Sequence, residues 1–236
     1  MHFSPLDASP VAPTPPLFWS VLGALVLAAL LPTLWPAVDL HAAAPFFGTP
    51  PRIESLEWWW VRMINDWVPA AFRVLILVCL LAWAVLKLRR QAVAWRMTLL
   101  YIAIAGTLGP GLVVNLGFKD NWQRARPYQV ENFGGDKQFT RAAVMTDQCA
   151  DNCSFVSGHV ACGYFFISLM LLQRRRAGQW VATGLVAAGL IAFARMSDKA
   201  HWLSDTLWAG PITLLTCWLV WHTMCRFYRP ALTAAS

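Results

Sequence analysis

The sequence predicts an all-α membrane protein, with six transmembrane helices gathered in one bundle and a further helix lying along the membrane interface. Three observations predict it. Of 236 residues, 58% are hydrophobic and 13% charged, where a soluble domain carries about 25% charged residues. The mean hydropathy is +0.48. Apolar runs of about 18 residues or more, the length that crosses a bilayer, recur along the whole chain.

The elements follow in order. Residues 1–16 hold five Pro and no Lys or Arg. They lack the basic start of a signal peptide and are expected to form a disordered cytoplasmic tail. The expected spans are Leu17–Leu34, Val68–Leu86, Met97–Phe118, Phe155–Leu172, Trp180–Phe193 and Trp202–Met224. Gly109-Pro110 should kink the third, because proline lacks the amide hydrogen that continues the helix. The fifth is short and reaches spanning length only if Gln179 and the residues around Arg195 lie in the interface. Trp19, Trp35, Trp95, Trp180 and Trp221 fall near span ends, where an aromatic belt belongs. Arg52–Trp67 mixes charges with four Trp and is expected to be the interfacial helix. Residues 17–225 thus make one transmembrane domain, and 226–236 a second cytoplasmic tail.

Loop charge orients the bundle. Lys87, Arg89, Arg90 and Arg96 separate spans two and three, Arg174, Arg175 and Arg176 separate four and five, and Arg226 and Arg229 follow six. The positive-inside rule puts these segments, and both termini, in the cytoplasm. The formal charge of +7 then reflects cytoplasmic loops and affinity for anionic lipid, and no nucleic-acid module is present.

Three short blocks carry the chemistry. Lys119 to Pro127 reads KDNWQRARP; Ser157-Gly158-His159 follows; then Arg195, His201 and Asp205 stand in the spacing R-x5-H-x3-D. Cations neutralise phosphate oxygens, one imidazole attacks phosphorus, the other protonates the leaving group, and a carboxylate orients the attacking ring. That set needs no metal and no cofactor. The span count puts all three blocks at outer span ends, so the site faces outward.

In these blocks the chain resembles the integral-membrane type 2 phosphatidic acid phosphatases, whose pattern is K-x6-R-P, then P-S-G-H, then S-R-x5-H-x3-D. The matched region covers 119–205. The resemblance implies that His201 is the nucleophile, forming a phosphohistidine, and that His159 is the general acid. It also implies that Lys119, Arg126 and Arg195, with Ser157 and Gly158, hold the phosphate. Asp205 is four residues beyond His201, so a shared helix face would let its carboxylate accept from one ring nitrogen and free the other. Val156 and Ala194 replace the family's proline and serine, but neither position attacks phosphorus or moves a proton. Arg124 lies outside the motif and, like Arg73, reads as a lipid-headgroup anchor.

Cys149 and Cys153 (CADNC) are a candidate disulfide on the oxidising side of a bacterial inner membrane. Two cysteines without a neighbouring histidine do not make a zinc site. The resemblance implies a hydrolase acting on a membrane lipid phosphate in the outer leaflet. Its substrate classes are phosphatidic acid, phosphatidylglycerol phosphate, undecaprenyl diphosphate and lipid A, and the CADNCSFVSGH context leans toward lipid A. Two alternatives are a phosphotransferase using the same site and a non-catalytic lipid-binding or transport protein. Charged or broken midplane helices and internal repeats would favour transport; here the ionisable residues gather at one face and no repeat appears.

Overall fold

The computed structural model describes residues 14–48, 53–91 and 93–233. Most of the tail expected over 1–16 lies outside them. Helix α1 (Pro16–Leu34) is followed by the short α2 (Ala37–Ala43) and then by α3 (Trp59–Leu88). Helix α4 (Val93–Gly106) runs directly into a π-helix over Thr107–Lys119, and a single turn, α5 (Asp120–Trp122), ends it. After a long irregular segment come α6 (Gly158–Ser168), α7 (Ala177–Ser197) and α8 (Leu203–Thr233). Among the described residues the only β pairing is an isolated bridge between Val130 and Lys137.

Among the described residues, five segments are long and apolar enough to cross a membrane: Pro16–Leu34, Trp59–Leu88, Val93–Lys119, Arg174–Ser197 and Leu203–Phe227. The chain is therefore a membrane protein. The segment expected as the fourth of six spans is a shorter apolar helix, Gly158–Leu171.

That shorter helix is the centre of the bundle. Val160 through Phe165 are all buried, as are Ile167 and Ser168. A helix apolar on every side is one surrounded by protein. Helix α3 is the opposite case, exposing Leu77, Leu81 and Leu88 as a lipid-facing surface would. Between helices in lipid there is no hydrophobic gain, so close van der Waals packing must hold them, and small residues permit it. Gly163 and Gly184 supply this where α6 crosses α7. A Cβ on Gly163 would lie 2.6 Å from Ala188 N, and one on Gly184 would lie 2.4 Å from the Ile167 side chain.

Four expectations change. Arg52 lies outside the described residues, and 53–67 are not a separate helix: Ser55–Glu57 forms one 3-10 turn, and 59–67 are the opening turns of α3. Its aromatics explain this, since the rings of Trp58 and Trp60 stack on Phe193 of α7 and the Ser55 hydroxyl donates to Ser197 Oγ (2.7 Å). The kink at Pro110 is instead a stretch of wider helix, in which the Asn115 side-chain amide donates to the Pro110 and Gly111 carbonyls (2.9 Å each). Residues 226–233, expected in a tail, continue α8. Trp221 is buried and packs edge-on against Tyr101 instead of sitting in an interfacial belt.

The α6–α7 crossing gives a direct prediction. Gly163→Ala should lower the thermal midpoint of the detergent-solubilised protein, by an overpacking cost of about 1–3 kcal/mol, read by intrinsic tryptophan fluorescence. Gly178→Ala, where nothing lies within 4 Å, should leave it unchanged.

Candidate functional site

The structure places the three blocks at one end of the bundle. Lys119 closes the π-helix, Arg126 lies in the irregular segment after it, and Ser157 precedes the first residue of α6. His159 is in the first turn of α6, Arg195 in the last turn of α7, and Asp205 in the first turn of α8. Their contacts join block to block. Asn65 of α3 accepts from Arg195 Nη1 through its side-chain oxygen (3.0 Å) and from His159 Nε2 through its backbone carbonyl (3.2 Å). Asn152 accepts from Arg126 through its carbonyl, at 3.0 Å from Nε and 2.7 Å from Nη2, and from Lys119 Nζ through its side-chain oxygen (3.3 Å). Neither asparagine carries a sequence signal. Each is found only once the chain is folded.

His201 sits in the connection between α7 and α8, and only 1% of it is exposed. Its Nδ1 lies 2.8 Å from the Ser154 carbonyl oxygen. A carbonyl can only accept, so Nδ1 carries the hydrogen and Nε2 holds a free lone pair. The expectation that Asp205 accepts directly from His201 is corrected: Asp205 Oδ2 stands 3.8 Å from Nδ1, beyond hydrogen-bond reach. The physical reason is that His201 precedes the helix, and the carboxylate is engaged elsewhere. Asp205 Oδ2 accepts from the Ser154 hydroxyl and from the Trp202 backbone N–H (2.9 Å), the second being the reach-back half of a capping box.

Burial holds the His201 imidazole well below its ordinary 6.5, at about 3; Arg195 and Lys119 push the same way, while Asp205 opposes them. The ring is therefore neutral at any working pH.

Arg124 is also corrected. It is no headgroup anchor: fully buried, it donates to Asp205 Oδ1 (2.5 Å), Ser204 Oγ (2.8 Å), Asp39 Oδ2 (2.9 Å) and the Thr140 carbonyl (2.9 Å). Burial raises the Asp39 carboxyl above its usual range, and the Arg124 charge works against that rise.

The phosphate-holding expectations meet two observations. Ser157 Oγ and Arg195 Nε are buried donors with no hydrogen-bond partner, as an anion-binding site requires before it is filled. A Cβ on Gly158 would stand 2.9 Å from Asn115 Oδ1, so a larger residue there would displace the end of that side chain. A cavity of about 300 Å³ adjoins Lys119, Asn152 and His159 and continues past Phe72, Arg73 and Cys162. Arg73 thus lines a cavity beside the site. Among the described residues, no three His, Cys, Asp or Glu side chains gather as a metal site would need.

Cys149 and Cys153 are bonded to each other, closing a short loop that presents Asn152 to Lys119 and Arg126. Replacing both cysteines by Ser should loosen Asn152 and raise KM for a phosphorylated lipid about three- to tenfold, with kcat kept, in a steady-state phosphate-release assay. The His201 shift also has a sign. The folded ring stays neutral while the unfolded chain takes up a proton below about 6.5, so this group destabilises the fold as pH falls from there toward 3. Thermal midpoints measured from pH 7 to pH 5 should fall less steeply for His201→Gln than for the unmodified protein, the difference approaching about 1.4 kcal/mol per pH unit.

The comparisons with known proteins agree with this geometry. The family model described as the PAP2 superfamily matches residues 94–229. A lipid A 4'-phosphatase of Francisella tularensis subsp. novicida is 31% identical over 221 residues, 89% of this chain and 97% of that protein. A lipid A 4'-phosphatase of Rhizobium leguminosarum is 40% identical over 105 residues, 43% of this chain and 45% of that protein. No solved structure matches. The family match spans all three motif blocks, and the Francisella similarity extends over nearly the whole chain; the protein belongs to the PAP2 superfamily.

Proposed function

We propose that the chain is a metal-independent lipid A phosphatase acting at the periplasmic face of a bacterial inner membrane, through a phosphohistidine on His201. The observation that carries the reading is the pairing of a neutral, buried His201 with unpartnered anion donors on Arg195 and Ser157. The lipid class, and the 4' position of the phosphate, are supported by the names of the relatives, one of which aligns along nearly its full length. Sidedness is supported by the basic segments at the opposite span ends.

The chemistry follows from the residues. Lys119, Arg126 and Arg195 take the phosphoryl oxygens, with arginine offering a planar fork. The His201 Nε2 lone pair forms a bond to phosphorus while the bond from phosphorus to the lipid oxygen breaks. The ring becomes cationic as it is phosphorylated, and the Asp205 charge, 3.8 Å from Nδ1, stabilises that state. His159 keeps its Nε2 hydrogen on the Asn65 carbonyl, and its Nδ1 takes the proton of the bound phosphate monoester monoanion and passes it to the departing lipid oxygen. The neutral His159 then accepts a proton from the water that attacks phosphohistidine, and the resting state returns with inorganic phosphate released. The cavity beside His159 is on the leaving-group side, where the sugar and its chains would lie.

Phosphate release by the purified protein should be measured over lipid A, phosphatidic acid, phosphatidylglycerol phosphate and undecaprenyl diphosphate, with chelator present. Lipid A should be the preferred substrate, and His201→Ala should reduce kcat by at least about a thousandfold while the protein stays folded. Normal turnover by folded His201→Ala would sink the mechanism. Loss on chelation that added metal restores would sink the metal-free reading. Transfer of phosphate to a second lipid without free phosphate would convert the reading to a phosphotransferase.

A further inference from the structure

His201 is held by a relay that begins far from the motif. Its Nδ1 hydrogen rests on the Ser154 carbonyl, so whatever fixes Ser154 fixes the direction in which Nε2 points. Ser154 is fixed twice. Its backbone N–H donates to the Arg124 carbonyl (2.9 Å), and its hydroxyl donates to Asp205 Oδ2. Asp205 is in turn held by Arg124 Nη1 through its other oxygen (2.5 Å). Arg124 therefore anchors Ser154 with its main chain and with its guanidinium, by way of Asp205.

The guanidinium is itself clamped. Asp39 of α2 accepts from Arg124 Nη2 (2.9 Å), from Ser204 Oγ (2.5 Å) and from the Ser204 backbone N–H (2.8 Å). Its carboxylate thus satisfies an amide of the first turn of α8, one of the hydrogens a helix start leaves unpaired. The rings of Trp202 and Phe139 lie 5.4 and 5.8 Å from the guanidinium carbon. Arg124, Asp39, Ser204 and Asp205 are all 0% exposed. Charges this deep are retained only where fully hydrogen-bonded, and a rigid unit results.

We propose that Arg124 and Asp39 are positioning residues for the nucleophile: through Ser154 and Asp205 they set the His201 ring in the orientation that aims Nε2 at phosphorus. Neither is a defining residue of the motif: Arg124 fills one of the variable positions between Lys119 and Arg126, and Asp39 lies outside the region the family model matches. The inference rests on His201 being the nucleophile. It assigns α2 a task, delivering one carboxylate to the start of α8. A lysine at 124 would keep the charge but could not reach all four acceptors from one planar fork.

The test compares Arg124→Lys, Arg124→Gln and the near-isosteric Asp39→Asn with the unmodified protein and His201→Ala, all in detergent. Two readouts separate positioning from folding. The first is the split between kcat and KM for lipid phosphate. The second is binding of orthovanadate, which mimics the transition state and can bond to Nε2, against binding of inorganic phosphate, held by the cations alone. The expected result is a fall in kcat of about a hundredfold for Arg124→Gln, and less for Arg124→Lys and Asp39→Asn, with KM within about threefold. Vanadate affinity should drop toward that of His201→Ala while phosphate affinity stays put. If Arg124→Gln does not fold, Arg124→Lys and Asp39→Asn carry the same comparison. Unchanged kcat and vanadate affinity in folded variants would overturn the proposal, as would a parallel loss of vanadate and phosphate binding. If the unmodified protein releases no phosphate from any lipid, the proposed function fails, and the vanadate and phosphate pair still decides the positioning. Vanadate binding equal in His201→Ala and the unmodified protein would remove the premise and overturn it too.

Discussion

The buried Arg124 guanidinium, held between Asp39 and Asp205, is the interaction on which the site end of the molecule depends. It joins three stretches of chain: α2, the irregular segment after α5, and the start of α8. Breaking a buried pair from one side costs about 3–5 kcal/mol, because the remaining charge is left without solvent or partner. The arrangement therefore tolerates little partial disorder. Ser204 completes it, accepting from Arg124 and donating to Asp39 through one hydroxyl. The same rigidity sets the rotamer freedom of His201 close to nothing, since its hydrogen-bond partner, Ser154, is tied to Arg124 by backbone and to Asp205 by side chain.

Bundle packing sets the rest. With α6 at the centre, its first turn delivers His159 to the site, and α7, pressed against it through Gly163 and Gly184, delivers Arg195 beside it. Asn65 of α3 then fastens both side chains, so two motif blocks share one bracket. The stacking of Trp58 and Trp60 on Phe193 fixes the register of α3 against α7, which is what puts Asn65 in reach. Helix contacts made for van der Waals reasons thus determine the spacing of catalytic groups.

What the sequence made legible, and what it hid, divides along this line. Apolar run length is a local property, so the apolar helices could be located, although α3 begins at Trp59 instead of Val68 and the fourth is only Gly158–Leu171; the three blocks declared themselves by spacing. Arg124 was misread because its significance depends on Asp39, 85 residues away, and on Asp205, 81 residues away. Asp205 was expected to touch His201 because four residues suggest one helical face; the helix begins only at Leu203, and the reach-back to Trp202 N–H claims the oxygen instead. The segment 52–67 was expected on the interface because its composition is amphipathic, and composition cannot tell lipid from a neighbouring ring of Phe193. For Arg124 and for the tryptophan-rich segment the missing information was tertiary and the winning partner a long-range one; for Asp205 it was where the helix begins.

The site, finally, has two halves of different character. His201, Ser154, Asp205, Arg124 and Asp39 are buried and hydrogen-bonded in a chain, whereas Lys119 and Arg126 meet Asn152 at the exposed edge, on a loop closed by Cys149 and Cys153. Interactions in the buried half are unscreened and cost no reorganisation when charge develops, which is where transition-state stabilisation is most effective. The exposed half is screened, and its side chains can exchange an asparagine oxygen for a phosphate oxygen of similar geometry at little net cost. On the proposed function, substrate capture belongs to the rim and chemistry to the interior. Arg195 connects them, with Nη1 on Asn65 and Asp198 and its buried Nε unpartnered. Its charge, like that of Lys119, reaches the His201 imidazole.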